Sequence, residues 1–304
     1  MHADIQTVLK IVLGIVIPIA SFATGLSGAS SDPLWLARHP RLWLKSLLII
    51  LVVVPVGVVL LMEGLGTPDV VKAGLTIAII SIGIGPPAAL KQAQMHKNVI
   101  SYEVGLNLTL LTLALVYLPL VVALYGAIFH RTVELGVGQV ARVVLVKGVI
   151  PMVAGLLVGR LFPKLVTPIA KYAAILVQVV LLGIVVLALI ANFRKLLGLG
   201  GATWLLCVGI VIGEIVIGHV AGRREPEERG MLVAFTSMRF PALALLLASA
   251  APRGKEFIPV ILAYVLCSFV FVAVYQAMSK RRQRHEPAPM PAAPQRRVPV
   301  SGHA

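Results

Sequence analysis

Long apolar stretches alternate with short polar turns along the whole chain, at about 7–28, 42–63, 71–95, 99–128, 138–160, 166–192, 202–221, 230–250 and 256–278. Each is long enough to cross about 30 Å of hydrocarbon as a helix of roughly 20 residues. The ten-residue alternation of apolar and polar positions that marks the strands of an outer-membrane barrel is absent. The pattern therefore predicts an all-α polytopic membrane protein with about nine transmembrane helices.

Two of the stretches are interrupted. Phe235-Thr236-Ser237-Met238-Arg239-Phe240-Pro241 places a guanidinium and a proline in the middle of an apolar run. Proline has no N–H and clashes with the preceding turn, and the residue before it is pushed off helical dihedrals, so a break is expected near Phe240. Ser81-Ile82-Gly83-Ile84-Gly85-Pro86-Pro87-Ala88-Ala89-Leu90-Lys91 interrupts the third stretch in the same way, and a polar half-helix is expected to follow, at 91–98. The alternative at this second place is a helix that simply ends at Gly85-Pro86. Each interrupted stretch precedes a long unbroken one, 99–128 and 256–278. Breakers at corresponding positions of two halves point to an inverted-repeat transporter with a site near the midplane. The expected division is a first repeat at 1–128 with four helices, a second at 129–279 with five, and a disordered basic tail at 280–304.

Composition agrees with the pattern and excludes a soluble globular domain: 59% of the residues are hydrophobic, 13% are charged, and the mean hydropathy is +0.96. The net charge of +15 is spread over short turns and a tail rather than gathered in one patch, so nucleic acid is not an expected partner. Alternate turns hold most of the cations: Arg38, Arg41 and Lys45, then Lys91 and Lys97, then Arg160, Lys164 and Lys171, then Arg223, Arg224 and Arg229, and finally Lys280, Arg281, Arg282 and Arg284. The positive-inside rule puts these in the cytoplasm, with the N-terminus outside and the C-terminus inside an inner (cell) membrane. The first stretch lacks a basic leading region and a cleavage site, so it reads as a retained helix. Thr67-Pro68-Asp69 reads as a helix start with Thr67 as cap. Cys207 and Cys267 fall in apolar stretches without metal-ligand spacing, and no metal or other cofactor is expected.

Charges inside spanning segments cost at least about 2.5 to 3.5 kcal/mol each and are functional candidates by default. Arg239 is the foremost, with Thr236, Ser237, Met238 and Pro241 around it. A guanidinium stays protonated in any protein environment, so it is either a permanent anion receptor or a counter-ion tied to carbonyls freed by the break. Pro86, Pro87 and Lys91 mark the other break. Glu103 and Asn107 lie four apart on one helical face, where the carboxylate either pairs with Arg239 or Lys91, carries protons, or sits at the headgroup level. Glu214 and His219 occupy adjacent turns, and their structural reading, as satisfied polar groups, is favoured over a proton relay. Arg142 and Lys147 lie near an outer helix end, where snorkelling accounts for the first more readily than the second. A Walker loop, a His-Glu-x-x-His pair and a catalytic triad are absent, which leaves neither an ATP motor nor an enzyme as the expected activity.

The chain resembles the bile acid:sodium symporter family and its bacterial relatives. The resemblance rests on Thr24-Gly25-Leu26-Ser27, on Leu36-Ala37-Arg38-His39-Pro40-Arg41, on the proline-rich crossover from Gly85 to Ala89, and on Pro241-Ala242-Leu243-Ala244-Leu245-Leu246. It implies two inverted repeats, a core domain built on two crossing broken helices, a panel domain and alternating access. The sodium sites do not carry over: Ala88 and Ala89 stand where the family has a Ser-Asn pair, and Phe235 stands where it has a glutamate. Ser237, Met238, Arg239 and Phe240 replace Gly, Met, Gln and Asn. The expectation is a transporter of a small organic anion that does not use those sodium sites, proton coupling being open. The alternative is a non-transporting membrane scaffold or sensor that keeps the fold.

Overall fold

In the computed structural model, the described residues are 2–28, 35–82, 97–128, 137–222, 226–250 and 253–285. All regular structure among them is helical: α1 (His2–Gly28), α2 (Pro40–Leu48), α3 (Val54–Gly64), α4 (Asp69–Ile80), α5 (Lys97–Ile128), α6 (Val137–Val144), α7 (Ile150–Leu161), α8 (Pro163–Leu197), α9 (Gly200–Ala221), α10 (Pro226–Ser237), α11 (Pro241–Ala250) and α12 (Gly254–His285). Pro40–Gly64, Gly200–Ala221 and Gly254–Ser279 are long and apolar enough to cross a membrane among the described residues. Leu44, Leu60, Val116, Leu161, Leu205 and Val220 are large apolar side chains that point outward from the bundle, each about two-thirds or more exposed. A soluble surface rarely carries so much apolar area, whereas a lipid-facing one requires it.

Two helices share an unusual construction. A π-helical turn, Ile49–Val53, joins α2 to α3, and another, Leu145–Val149, joins α6 to α7. Each is followed by a proline in the next turn, Pro55 and Pro151. A proline removes the donor that the carbonyl four residues earlier needs, which here strands Leu51 and Lys147. In both cases a hydroxyl from another helix supplies the bond. Tyr117 on α5 donates to the Leu51 carbonyl at 3.0 Å, and Ser21 on α1 donates to the Lys147 carbonyl at 3.2 Å. Freed backbone groups at membrane depth need such partners. Tyr117→Phe leaves the Leu51 carbonyl without its hydroxyl donor and is expected to cost about 1 kcal/mol, read as a lower midpoint in detergent unfolding.

Glycines set the closest helix contacts. A Cβ on Gly25 of α1 would fall on the Met152 carbonyl of α7, and one on Gly155 of α7 would fall on the Phe22 carbonyl of α1. Gly74 brings α4 against Val260 of α12, and Gly218 brings α9 against Val233 and Thr236 of α10. Small residues at crossings are how helices associate where lipid offers no hydrophobic drive. The core between these helices is built on Leu75, Ile79, Tyr102, Leu106, Val260 and Ile261, all buried. Trp43 donates to Thr109 at 3.3 Å and Ser46 shares a hydrogen bond with Tyr102 at 2.9 Å, fixing α2 to α5.

Three local expectations change. α4 starts after Pro68, not after Thr67; Thr67 makes no side-chain cap and instead donates its N–H to the Met62 carbonyl behind it. Gly66, at φ 58°, turns the chain there, and Thr67 is spent on closing α3. The first break opens at Ser81, four residues before Gly85, because Ser81 already has ψ 66°. The run of poor helix formers beyond it removes the incentive to continue. α12 continues to His285, so the basic cluster Lys280–Arg284 belongs to a helix, while 286–304 lie outside the described residues. Lysine and arginine are good helix formers, and their charges favour a helix C-terminus. Pro86, Pro87, Lys91 and the half-helix expected at 91–98 lie outside the described residues up to His96.

Candidate functional site

The second break forms where the sequence places it. α10 ends at Ser237, Met238–Phe240 are non-helical, and Pro241 opens α11 with its fixed φ and its missing N–H at a position that needs no donor. The Phe240 carbonyl accepts from the N–H groups of Leu243 and Ala244, which starts the new helix. The Phe240 N–H leaves its own segment and donates to the Ser81 carbonyl at 3.1 Å. Ser81 is the first residue past the end of α4. The two breaks therefore satisfy each other's backbone.

Arg239 sits beside this junction, only 6% exposed. Its Nη1 and Nη2 both reach the Ile50 carbonyl at 3.5 Å. That carbonyl is available for a definite reason. In the π turn the Val54 N–H bonds Ile49, and the donor next in π register is Pro55, which has none. The freed group comes from the π turn after α2, whereas the counter-ion alternative places it at the Pro241 break. At 3.5 Å both bonds are at the long limit, and a guanidinium carries five donor hydrogens. Its Nε finds no partner among the described residues, nor does the buried Ser237 hydroxyl. Around the guanidinium, donor hydrogens therefore outnumber the acceptors they reach among the described residues.

No carboxylate lies within 4 Å of the guanidinium among the described residues. The acid that feels its charge is Glu214 on α9, together with the hydroxyls of Tyr264 on α12 and Tyr117 on α5. Glu214 is 1% exposed, and the Tyr264 hydroxyl lies 3.0 and 2.9 Å from its two carboxylate oxygens and 3.4 Å from the Ser237 carbonyl. Thr236, also buried, has its hydroxyl 3.2 Å from the Glu214 carbonyl and close to those of Leu232 and Val233 within α10. A small water-sized cavity opens here, lined by Met238, Arg239, Pro241, Tyr264, Val265, Ser268 and Phe269.

Of the residues singled out from sequence, Thr236, Ser237, Met238, Arg239 and Pro241 form this one site. Glu103 and Asn107 are both buried on α5. Glu214 and His219 do not form a relay with each other, since His219 shares a 2.8 Å hydrogen bond with Tyr275 while Glu214 is held by Tyr264. Sequence reasoning missed Ser81, Tyr264 and the Ile50 carbonyl. Pro55 inside an apolar run was the signal for the last, and a tyrosine in an apolar helix, whose hydroxyl needs a partner, was the signal for Tyr264. No protein-family model matches the chain, and no curated protein matches it at a significant level.

Proposed function

We propose that the chain is a secondary active or facilitative transporter of a small organic anion, working by alternating access and without the sodium sites of the family it resembles. The observation that carries this reading is the 3.1 Å hydrogen bond from Phe240 to Ser81, which joins two broken segments of the first and second halves beside a buried, incompletely satisfied Arg239. In this reading about nine helices span an inner membrane as two inverted repeats, 1–128 and 129–279, with the N-terminus outside and the C-terminus inside. The guanidinium supplies a fixed positive charge for a carboxylate or similar anion. Phe235, 4% exposed and packed in the apolar core, occupies the place of the family's glutamate and removes that sodium ligand.

The same replacement favours a second reading, a scaffold or sensor that keeps the fold without transport. Counterflow of labelled organic acids in proteoliposomes separates the two. The transporter reading expects flux above empty vesicles, at least a tenfold loss in Arg239→Ala, and no change when choline replaces sodium. Equal flux in empty and loaded vesicles across a broad panel of acids excludes transport. Complete loss of flux in choline excludes sodium independence.

A further inference from the structure

Glu214 stands out among the buried polar groups because its surroundings suit it badly as a permanent anion. A carboxylate offers about four acceptor positions, and Tyr264 is its sole side-chain donor among the described residues. That hydroxyl has one proton to give and three acceptors within 3.4 Å: two oxygens of Glu214 and the carbonyl of Ser237. An under-donated carboxylate in a low-dielectric interior is costly unless neutralised. Arg239 acts on it from beyond ion-pair distance, and its own hydrogen bonds go to Ile50.

We propose that Glu214 is a proton-binding site whose occupancy selects the acceptor of the Tyr264 hydroxyl, and that this proton is the coupling ion of transport. The second half of the inference rests on the transporter reading. In the empty state Tyr264 donates to the Glu214 carboxylate. When a proton binds, it adds to one carboxylate oxygen, the new O–H donates to the Tyr264 oxygen, and the Tyr264 O–H turns to the Ser237 carbonyl. One proton is gained and none is lost. Ser237 is the last residue of α10, so the switch acts on the backbone of the break itself, two residues before Arg239. Neutralising Glu214 also leaves the Arg239 charge less balanced, which favours an anion at the site. Proton and anion then bind together, which is symport.

The groups that face Glu214 are few. α12 contributes Tyr264 and the break contributes Arg239, while the neutral Thr236 of α10 bonds the backbone carbonyl of Glu214 rather than its carboxylate. The π turn at Ile49–Val53 and the buried face of α3 present only apolar residues, and Glu63 at the far end of α3 is bonded to Lys72. Cys207 lies two turns earlier on α9 and is buried. His219 is engaged with Tyr275.

Two measurements on the full chain test the proposal. In pH-step difference infrared spectra of the protein in lipid nanodiscs, a carboxylic C=O band should fade as pH rises, disappear in Glu214→Gln and shift in frequency in Tyr264→Phe. A band retained unchanged in Glu214→Gln, or none in the wild type, overturns the proton site. In proteoliposomes, an inwardly directed proton gradient should raise accumulation of the labelled acid, and Glu214→Gln should lower the gradient-dependent part at least tenfold. Wild-type counterflow indifferent to the gradient overturns the coupling. Absence of all counterflow together with a titrating Glu214 band removes the transporter reading and leaves the proton site standing.

Discussion

Replacing Gly155 by valine will leave little folded protein, and replacing Gly25 by valine will do the same from the other side of one contact. The two glycines face each other across the crossing of α1 and α7. A Cβ on Gly155 meets the Phe22 carbonyl and lies 3.0 Å from the Leu26 nitrogen; a Cβ on Gly25 meets the Met152 carbonyl and lies 3.0 Å from the Leu156 nitrogen. These are backbone atoms, so no rotamer change relieves the clash and the helices must separate. Separation uncovers the small cluster of Leu26 with Phe22 and Val158 and strains the bond from Ser21 to Lys147. Overpacking of a side chain costs about 1–3 kcal/mol, and a backbone clash belongs at or above the top of that range. Gly209 of α9 supplies the control, because a Cβ there meets nothing within 4 Å. Gly209→Ala should raise stability by roughly 0.5–1 kcal/mol through helix propensity alone. Unfolding in mixed micelles followed by circular dichroism reads all three. A Gly155→Val midpoint within error of the wild type would mean that α1 and α7 do not pack through these glycines.

The helices themselves were legible because the chain has to hide its backbone in lipid, and long apolar runs are the direct signature of that need. Boundaries came within a few residues for α5, for α9 and for the stretch from α2 to α3, where Gly64 or a loop cation ends the run. The second break was legible too, since Pro241 can only begin a helix there. The contents of the site were legible only in part. Arg239 announces itself as a charge in an apolar run, but its partner is a carbonyl, and a carbonyl has no letter in the sequence. Ile50 becomes an acceptor only because a π turn shifts the register by one residue just before Pro55, a fact of hydrogen bonding rather than of residue type. Likewise, Glu214 and Tyr264 are fifty residues apart and meet through the packing of α9 on α12, which no local periodicity encodes.

Replacing Arg239 by methionine will destabilise the protein by about 3 kcal/mol, and adding Glu214→Gln to that variant will restore at least about 1 kcal/mol. Methionine keeps much of the volume, so the loss comes from charge and hydrogen bonds. Two groups lose their compensation when the guanidinium goes. The Ile50 carbonyl loses both donors and, with the Val54 N–H committed to Ile49 and Pro55 lacking an N–H, has no backbone substitute. Glu214, 1% exposed, loses the nearby guanidinium charge and keeps, among the described residues, the Tyr264 hydroxyl. Glutamine at 214 removes the second loss but not the first, so the rescue should be incomplete. A double-mutant cycle on unfolding midpoints isolates the coupling between the two positions. Strict additivity would show that Arg239 and Glu214 are energetically independent, and the balance of charge across the break would then play no part in holding α9, α10 and α12 together. Arg239→Lys sharpens the distinction between a charge and a shape. Lysine keeps the cation for Glu214 but lacks the planar fork that lets two nitrogens share the Ile50 carbonyl. It should therefore retain the coupling to Glu214 while losing about 1 kcal/mol at the π turn. In the flux assay it should fall between the wild type and Arg239→Ala, because a permanent positive charge at the junction of the two breaks is what an anion would bind.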